Sequence, residues 1–193
     1  MLRKLYIYDR SSEIDREQAD GRFDESDNVH TLPVSSIREL ETGLSGLVSK
    51  MVFDRVLFQT HGSPGAIYFN HQALDATVLR NRFSGKNYHT LFPHPSTRIY
   101  FDGCNVAEGE PGTKFLMAVG EVFLRGPGGF AFGWKDYGRG IAGWVPFVGG
   151  HTLHIGGSLK KLRFRPGGVL IPDPPFKWPD EPPGSPAHSG NRV

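Results

Sequence analysis

The sequence has few of the features that assign a protein to a class at once. It contains one cysteine in 193 residues, which excludes an internal disulfide framework and a zinc site built from several cysteines. Charged residues make up 22% of the chain and the net charge is +2, so neither nucleic acid nor an anionic surface is implied as a partner. No apolar run approaches the length of a membrane span. We therefore expect one globular domain with no metal or organic cofactor and no stable membrane insertion.

The two ends of the chain bear on the expected location of the protein and on the extent of its domain. Lys4, Asp9 and Arg10 interrupt the first apolar run, so no cleavable signal peptide is expected. This favours a cytoplasmic location, or delivery by a secretion route that needs no such signal. From Pro172 onward, seven of 22 residues are proline, which is typical of an extended or disordered segment. We predict a domain over residues 1–171 and a flexible tail over 172–193.

Strand-like and helix-like segments alternate along the domain. β-favouring apolar runs occur at 5–8, 31–34, 52–60, 99–101 and 130–134. Helical spacing of apolar residues follows the capping-box residues Ser36 and Glu39, and again follows Glu110 and Pro111. Residues 9–29 and 84–97 are expected to be loops. The alternation predicts an α/β fold, with a mostly parallel central sheet and helices on both faces.

Two reactive side chains each follow one of these strands. Cys104 comes directly after the strand ending at Phe101 and shortly before a helix start, where the helix dipole favours a thiolate. His61 follows the strand that ends at Thr60. If the two strands are parallel neighbours, both side chains emerge at one edge of the sheet, as a nucleophile and its base would. The alternatives are that Cys104 is a small buried apolar residue and that His61 caps local backbone.

The residues around this pair carry a family resemblance. One strand is followed by Thr60-His61-Gly62 and the next by Gly103-Cys104, with Cys104 43 positions after His61. These motifs, in this order and at this spacing, resemble the caspase-like superfamily of cysteine peptidases. That superfamily includes caspases, gingipains, clostripain, separase and the self-cleaving domains of large bacterial toxins. The longer motifs, running from His61 to Gly65 and from Gly103 to Phe115, are most similar to bacterial caspase-like domains of unassigned activity in large surface or secreted proteins. The match covers roughly residues 50–135, and it implies a caspase-like three-layer sandwich.

The resemblance also implies roles for individual residues. Cys104 would be the nucleophile and His61 the general base, with the backbone N–H groups of Gly62 and Cys104 forming the oxyanion hole. In clostripain-like relatives, an aspartate two positions before the nucleophile pairs with Arg or Lys at P1, and Asp102 has that offset. Its alternative role is an ordinary turn hydrogen bond. The Gln-Ala-Cys-x-Gly signature of caspases is absent, so their specificity for aspartate is not expected here.

The remaining aromatic and basic residues allow less specific interpretations. Trp134 and Trp144, together with the glycine-rich segment 137–150, are expected to form a wall or flap of the substrate pocket. The same residues are also consistent with ordinary core and loop, or with a loop that touches a membrane or a partner. His151 and His154 have no neighbouring carboxylate or cysteine in the sequence and are interpreted as strand or surface residues rather than metal ligands.

The sequence therefore favours a cysteine endopeptidase that acts on a protein or peptide substrate through Cys104 and His61, as a bacterial effector or a processing protease. Two alternatives stay open: a catalytically inactive caspase-like module that binds a protein, and an enzyme that transfers acyl or amide groups with the same dyad. No oligomeric state is indicated.

Overall fold

One mixed sheet with helices packed against it forms the framework of the molecule. A computed structural model describes residues 2–12, 28–136 and 158–172, and the backbone of 139–144 and 151–155. The strands are β1 (Lys4–Asp9), β2 (Val29–Val34), β3 (Arg55–Gln59), β4 (His61–Ser63), β5 (Ala66–Phe69), β6 (Gln72–Asp75), β7 (Arg98–Phe101), β8 (Gly129–Trp134), β9 (Arg139–Trp144), β10 (His151–Ile155), β11 (Leu159–Arg165) and β12 (Val169–Ile171). The helices are α1 (Ile37–Leu47), α2 (Ala76–Phe83) and α3 (Gly109–Phe123), with a 3-10 helix at Tyr88–Leu91.

The main sheet has seven strands in the order β12-β11-β8-β7-β3-β1-β2. The five strands from β8 to β2 run parallel, whereas β11 and β12 are antiparallel to their neighbours. Two smaller sheets accompany it: β4-β5-β6, and a ribbon made of β9 and β10. The prediction of an α/β fold with a mostly parallel central sheet is confirmed.

The strand register separates the two faces of the main sheet. On one face, four fully buried residues lie side by side across the parallel strands: Leu5, Val56, Ile99 and Ala131. The next residue of each strand points to the opposite face. There, the rings of Tyr100 and Phe132 are stacked, with their centroids 4.4 Å apart. Both faces therefore carry large apolar groups, as expected for a sheet in the interior.

The three described helices all cover the first of these faces. Buried residues of α1, α2 and α3 belong to the same apolar cluster as Leu5 and Val56. The connections from β2 to β3, from β3 to β7 and from β7 to β8 all step in one direction across the sheet. Because crossovers between parallel strands are right-handed, helices in such a series fall on one face. The expectation of helices on both faces therefore holds for one face only, within the part of the chain that the structure describes.

Several element boundaries differ from the sequence-based expectation for identifiable reasons. β3 begins at Arg55 rather than at residue 52, because Phe53 N–H donates to Leu91 O (2.7 Å) and Asp54 N–H to Arg3 O (2.9 Å), outside the ladder.

The Ser36 hydroxyl caps α1 by accepting from Glu39 N–H (3.1 Å). The Glu39 carboxylate accepts from Ser35 N–H (2.9 Å), one residue before the partner that a capping box requires. The segment 84–97, expected to be a loop, contains the 3-10 helix.

Some expectations concern residues outside those described. They include most of the loop over 9–29, most of the glycine-rich segment 137–150, the side chains of His151 and His154, and the tail after Pro172. Among the helices described, none has the length and apolar character needed to cross a membrane.

Candidate functional site

Two turns lie side by side at the carboxyl edge of the main sheet. β3 and β7 are parallel neighbours, with Phe58 opposite Phe101. Asp102 N–H then donates to Phe58 O (2.8 Å), which extends the pairing by one residue beyond β7. His61 follows the end of β3, and Cys104 follows Asp102 and Gly103. The edge where open α/β sheets place their ligands thus carries both of these residues.

The backbones of the two turns are in contact. A methyl group built on Gly62 would lie 2.7 Å from the carbonyl oxygen of Cys104 and 2.5 Å from a methyl carbon of Val106. A methyl group built on Gly103 would lie 3.1 Å from the nitrogen of Gly62. Only glycine fits at these positions, because any side chain would push the turns apart. The structure therefore brings the segments carrying His61 and Cys104 together, while their catalytic roles stay a prediction.

Backbone hydrogen bonds to the last residue of β8 and to a residue just after that strand fix the turn that contains Cys104. Ala107 N–H donates to Trp134 O (2.8 Å), and Asn105 N–H donates to Asp136 O (3.2 Å). Asn105 is buried and has a φ of 59°, a left-handed conformation that asparagine tolerates better than most residues. This sharp turn leaves Cys104 partly exposed rather than sealed in the core. The end of β8 therefore supports the candidate nucleophile.

The relationship between Cys104 and the following helix differs from the expectation. α3 begins at Gly109, and its N-cap is Glu108. Residues 105–108 therefore separate Cys104 from the first turn of the helix, where the dipole has its effect. Cys104 therefore precedes α3, as expected, but this separation weakens the expected effect of the helix dipole on the thiol.

His61 lies on the small sheet β4-β5-β6, next to the turn of Cys104. Its side chain is exposed, and His61 lies directly opposite Tyr68 of β5. A tight turn at Pro64 and Gly65 joins the two strands, with Gly65 at a φ of 82°. Gly65 N–H donates to Val106 O (3.1 Å), so the hairpin is hydrogen-bonded to the turn that carries Cys104.

Asp9 holds the turn between β5 and β6, which is at the same end of the small sheet as His61 and opposite the Pro64–Gly65 turn. This carboxylate is 3% exposed and lies at the carboxyl end of β1. Its oxygens accept from Asn70 N–H (2.8 Å), in the turn between β5 and β6, and from Ser11 N–H (2.9 Å). The sequence gives one sign of this role, an acidic residue at the end of an apolar strand. The Asn70 N–H that this carboxylate binds is 61 positions away.

The proposed specificity residues fall into two groups. Trp134 Nε1–H donates to Asp102 Oδ1 (3.2 Å), so the structure brings these two partly exposed residues together beside Cys104. Trp144 lies in β9, for which the structure describes only the backbone.

The β9–β10 ribbon leaves the main sheet near the same edge. Its base is closed by two hydrogen bonds, from Lys135 N–H to Ser158 O (2.9 Å) and from Ser158 N–H to Asp136 Oδ2 (2.9 Å). Lys135 directly follows β8, whose carboxyl end supports the turn of Cys104. The ribbon that contains Trp144 therefore starts beside the candidate site.

Comparison with known proteins finds no match, whether with a protein-family model, a curated protein or a solved structure. The described residues contain no group of three or more His, Cys, Asp or Glu side chains arranged to hold a metal ion.

Proposed function

We propose that this protein is a caspase-like cysteine endopeptidase in which Cys104 is the nucleophile and His61 the general base. The observation that carries the proposal is the contact of Gly62 with the Gly103–Cys104 backbone at the carboxyl edge of two parallel strands. This contact keeps a cysteine and a histidine on adjacent turns that tolerate no intervening side chain. A cysteine activated by a histidine that only the fold brings close is the usual arrangement of thiol peptidases.

The reaction follows from the chemistry of the two side chains. His61 takes the proton of the Cys104 thiol, and the sulfur attacks the scissile carbonyl carbon to form a tetrahedral intermediate. As the C–N bond breaks, the imidazolium returns the proton to the leaving amine. Water, deprotonated by His61, then attacks the thioester, and the thiol is regenerated with release of the carboxylic acid.

Backbone amides of the same two turns are suited to the oxyanion. The nitrogen of Gly62 lies against Gly103, the residue that directly precedes the amide of Cys104. Two such N–H groups on neighbouring turns would stabilise the negative oxygen of the intermediate, which usually contributes the largest electrostatic effect in acyl transfer.

The specificity that fits this site is for a basic residue at P1. Asp102 supplies a carboxylate at the rim, and the indole N–H of Trp134 orients one of its oxygens. A charged hydrogen bond from Arg or Lys to that carboxylate would select the residue before the cleaved bond. The ribbon with Trp144 would add a wall or flap to this pocket. Such an enzyme would act as an effector or a processing protease on protein substrates.

Thiol labelling tests the dyad without knowledge of a substrate. Because the sequence has one cysteine, iodoacetamide reports on Cys104 alone. We expect rapid, pH-dependent labelling of the wild type and slow labelling of His61→Ala. His94→Ala is the matched control, since His94 is exposed and lies near Asp54, at the amino end of β3.

Incubation with a proteome then identifies the reaction. New protein N-termini that appear with the wild type and not with Cys104→Ala support a peptidase with a basic P1 preference. Labelling that depends on His61 without any new N-termini would favour acyl or amide transfer. Labelling that does not depend on His61 would reject the dyad and favour a catalytically inactive binding module.

A further inference from the structure

The outer face of the small sheet places two hydroxyl groups beside His61. His61 pairs with Tyr68 and Ser63 with Ala66, so the side chains of His61, Ser63 and Tyr68 project from the same face of the hairpin. Gly62 and Ile67 belong to the other face, where Ile67 is fully buried. Residues directly opposite each other in such a pair have Cβ atoms about 5 Å apart. Tyr68 is therefore the nearest cross-strand neighbour of the proposed general base.

A hydrogen bond holds Tyr68 in one orientation on this face. Its phenol oxygen lies 2.8 Å from the Ser63 hydroxyl oxygen, and either group can donate. Ser63 is two residues after His61, so the phenol ring extends diagonally from the position opposite His61 toward the Pro64–Gly65 turn. Both Ser63 and Tyr68 are partly buried, whereas His61 is exposed. The tethered ring therefore lies on the same face of the hairpin as the imidazole, with its hydroxyl held at Ser63.

The exposed imidazole needs such a restraint if it is to act as a base. A side chain at an open strand position has three staggered χ1 wells, and strand side chains can lean along the strand. Only a conformation that reaches the thiol is productive, and time spent in the others lowers the rate in proportion. A ring held beside Ser63 would block the χ1 well in which the imidazole leans toward the turn.

We propose that the Ser63–Tyr68 hydroxyl pair is a positioning device for His61, in which the tethered Tyr68 ring confines the imidazole to conformations directed at Cys104. This inference rests on the proposed function, because it assigns the pair a purpose only if His61 activates the thiol. Neither hydroxyl takes part in the proton transfers. The pair acts through His61, so it is expected to change how often the base is in place rather than its chemistry.

The test compares alkylation rates of Cys104 in Tyr68→Phe, Ser63→Ala and the double variant across pH. Each single variant releases the tether but keeps the fold, and we expect the plateau rate to fall about 1.5- to twofold, because one further χ1 well becomes accessible to the imidazole. The double variant should be no slower than either single one, since both remove the same hydrogen bond. The midpoint of the pH profile should stay at its wild-type position.

The chain offers a matched control for loss of a serine–tyrosine hydroxyl pair. Ser45 of α1 and Tyr88 of the 3-10 helix have hydroxyl oxygens 2.9 Å apart, away from the carboxyl edge of the sheet. Ser45→Ala should leave the alkylation plateau unchanged. An independent readout is the χ1 population of His61, from three-bond couplings in ¹³C-histidine-labelled protein. The well directed toward the turn should be empty in the wild type and populated in Tyr68→Phe.

Three results would overturn the inference: wild-type plateau rates in both single variants, rate losses that multiply in the double variant, or a shift of the pH midpoint with an unchanged plateau. Failure of the proposed function has a different signature. In that case wild-type labelling would itself be independent of His61, whatever the variants of Ser63 and Tyr68 do.

Discussion

Gly62 and Gly103 lie so close together that a methyl group on Gly62 would come within 2.9 Å of the carbonyl carbon of Gly103. These residues belong to turns that follow two different strands of the main sheet, β3 and β7. Their contact determines how near the turn of His61 comes to the turn of Cys104. Each turn thus depends on the absence of a side chain in the other.

Substitution of Gly62 by alanine should disrupt this contact. The new methyl group would meet backbone atoms of Gly103 and Cys104, which cannot rotate away as a flexible side chain could. We expect Gly62→Ala to lower the free energy of unfolding by about 1–3 kcal/mol, as overpacking does in other cores. The alkylation of Cys104 that depends on His61 should be lost as well. Urea unfolding and iodoacetamide labelling measure the two effects.

Gly46→Ala provides the control for a glycine-to-alanine change. A methyl group there would meet nothing within 4 Å, and Gly46 lies in α1. It should raise the free energy of unfolding by up to about 1 kcal/mol, because alanine is the better helix former. Equal behaviour of the Gly46 and Gly62 variants would contradict the close approach of the two turns.

The specificity hypothesis predicts a selective loss in Asp102→Asn. Removal of the carboxylate charge should lower kcat/KM for peptides with Arg or Lys at P1 by about 10- to 150-fold, the equivalent of one charged hydrogen bond. Trp134→Phe, which keeps a ring but lacks the N–H that donates to Asp102, should show a smaller loss of the same kind. A peptide library measures both. Cleavage after Leu or Asp, with none after Arg or Lys, would rule out the basic preference.

The buried Asp9 carboxylate should support the small sheet that carries His61. Asp9→Ala removes the charged acceptor of two part-buried hydrogen bonds, from Asn70 N–H and Ser11 N–H, and loss of a hydrogen bond to a charged group costs about 1.5–3 kcal/mol. Because Asn70 lies in the turn between β5 and β6, we also expect slower alkylation of Cys104 in protein that is still folded. Thermal unfolding and labelling under native conditions provide the two measurements.

Asp75→Ala is the matched control for Asp9→Ala. Asp75 ends β6 of the same small sheet and caps α2 by accepting from Val78 N–H (2.8 Å). Its loss should cost about 1 kcal/mol without slowing the alkylation of the folded protein. If the two variants slowed alkylation equally, Asp9 would have no particular effect on the site.

His89 should make the stability of the fold dependent on pH. Partial burial, together with the positive charge of Arg125, lowers the pKa of His89 below its ordinary value of about 6.5. Its Nδ1 accepts from Arg125 Nε–H (3.0 Å), a bond that the protonated ring cannot accept. As the pH falls below about 6.5, the unfolded chain binds a proton that the folded chain does not, so this contribution to stability declines.

Thermal unfolding at pH 7.5 and pH 5.5 measures this effect. We expect the melting temperature of the wild type to fall more over this interval than that of His89→Gln, which has no group that titrates there. Glu39, whose pKa is lowered chiefly by the hydrogen bond from Ser35 N–H, contributes only at more acidic pH. An identical decline in both proteins would show that His89 remains uncoupled from folding.

Local signals in the sequence correctly indicated the five parallel strands of the main sheet and the helices α1 and α3, and they failed where the cause was not local. The serine before α1 and the apolar spacing of α3 act within a few residues, so a sequence pattern reveals them. The start of β3 was misplaced because Phe53 bonds to Leu91, 38 positions further along the chain. The side of the sheet that the helices cover followed from the order of strands, which no single segment encodes.

The candidate site shows the same division between local and tertiary information. The residue pattern alone indicates that a lone cysteine and a histidine each follow a strand next to a glycine, because strand and turn preferences are properties of short segments. Three features depend on the assembled fold: β3 and β7 are parallel neighbours, Gly62 touches Gly103, and Asp9 binds the turn between β5 and β6 of the small sheet that carries His61. Such contacts join residues that are 41 to 61 positions apart, and they form only when the whole sheet assembles and buries its apolar face.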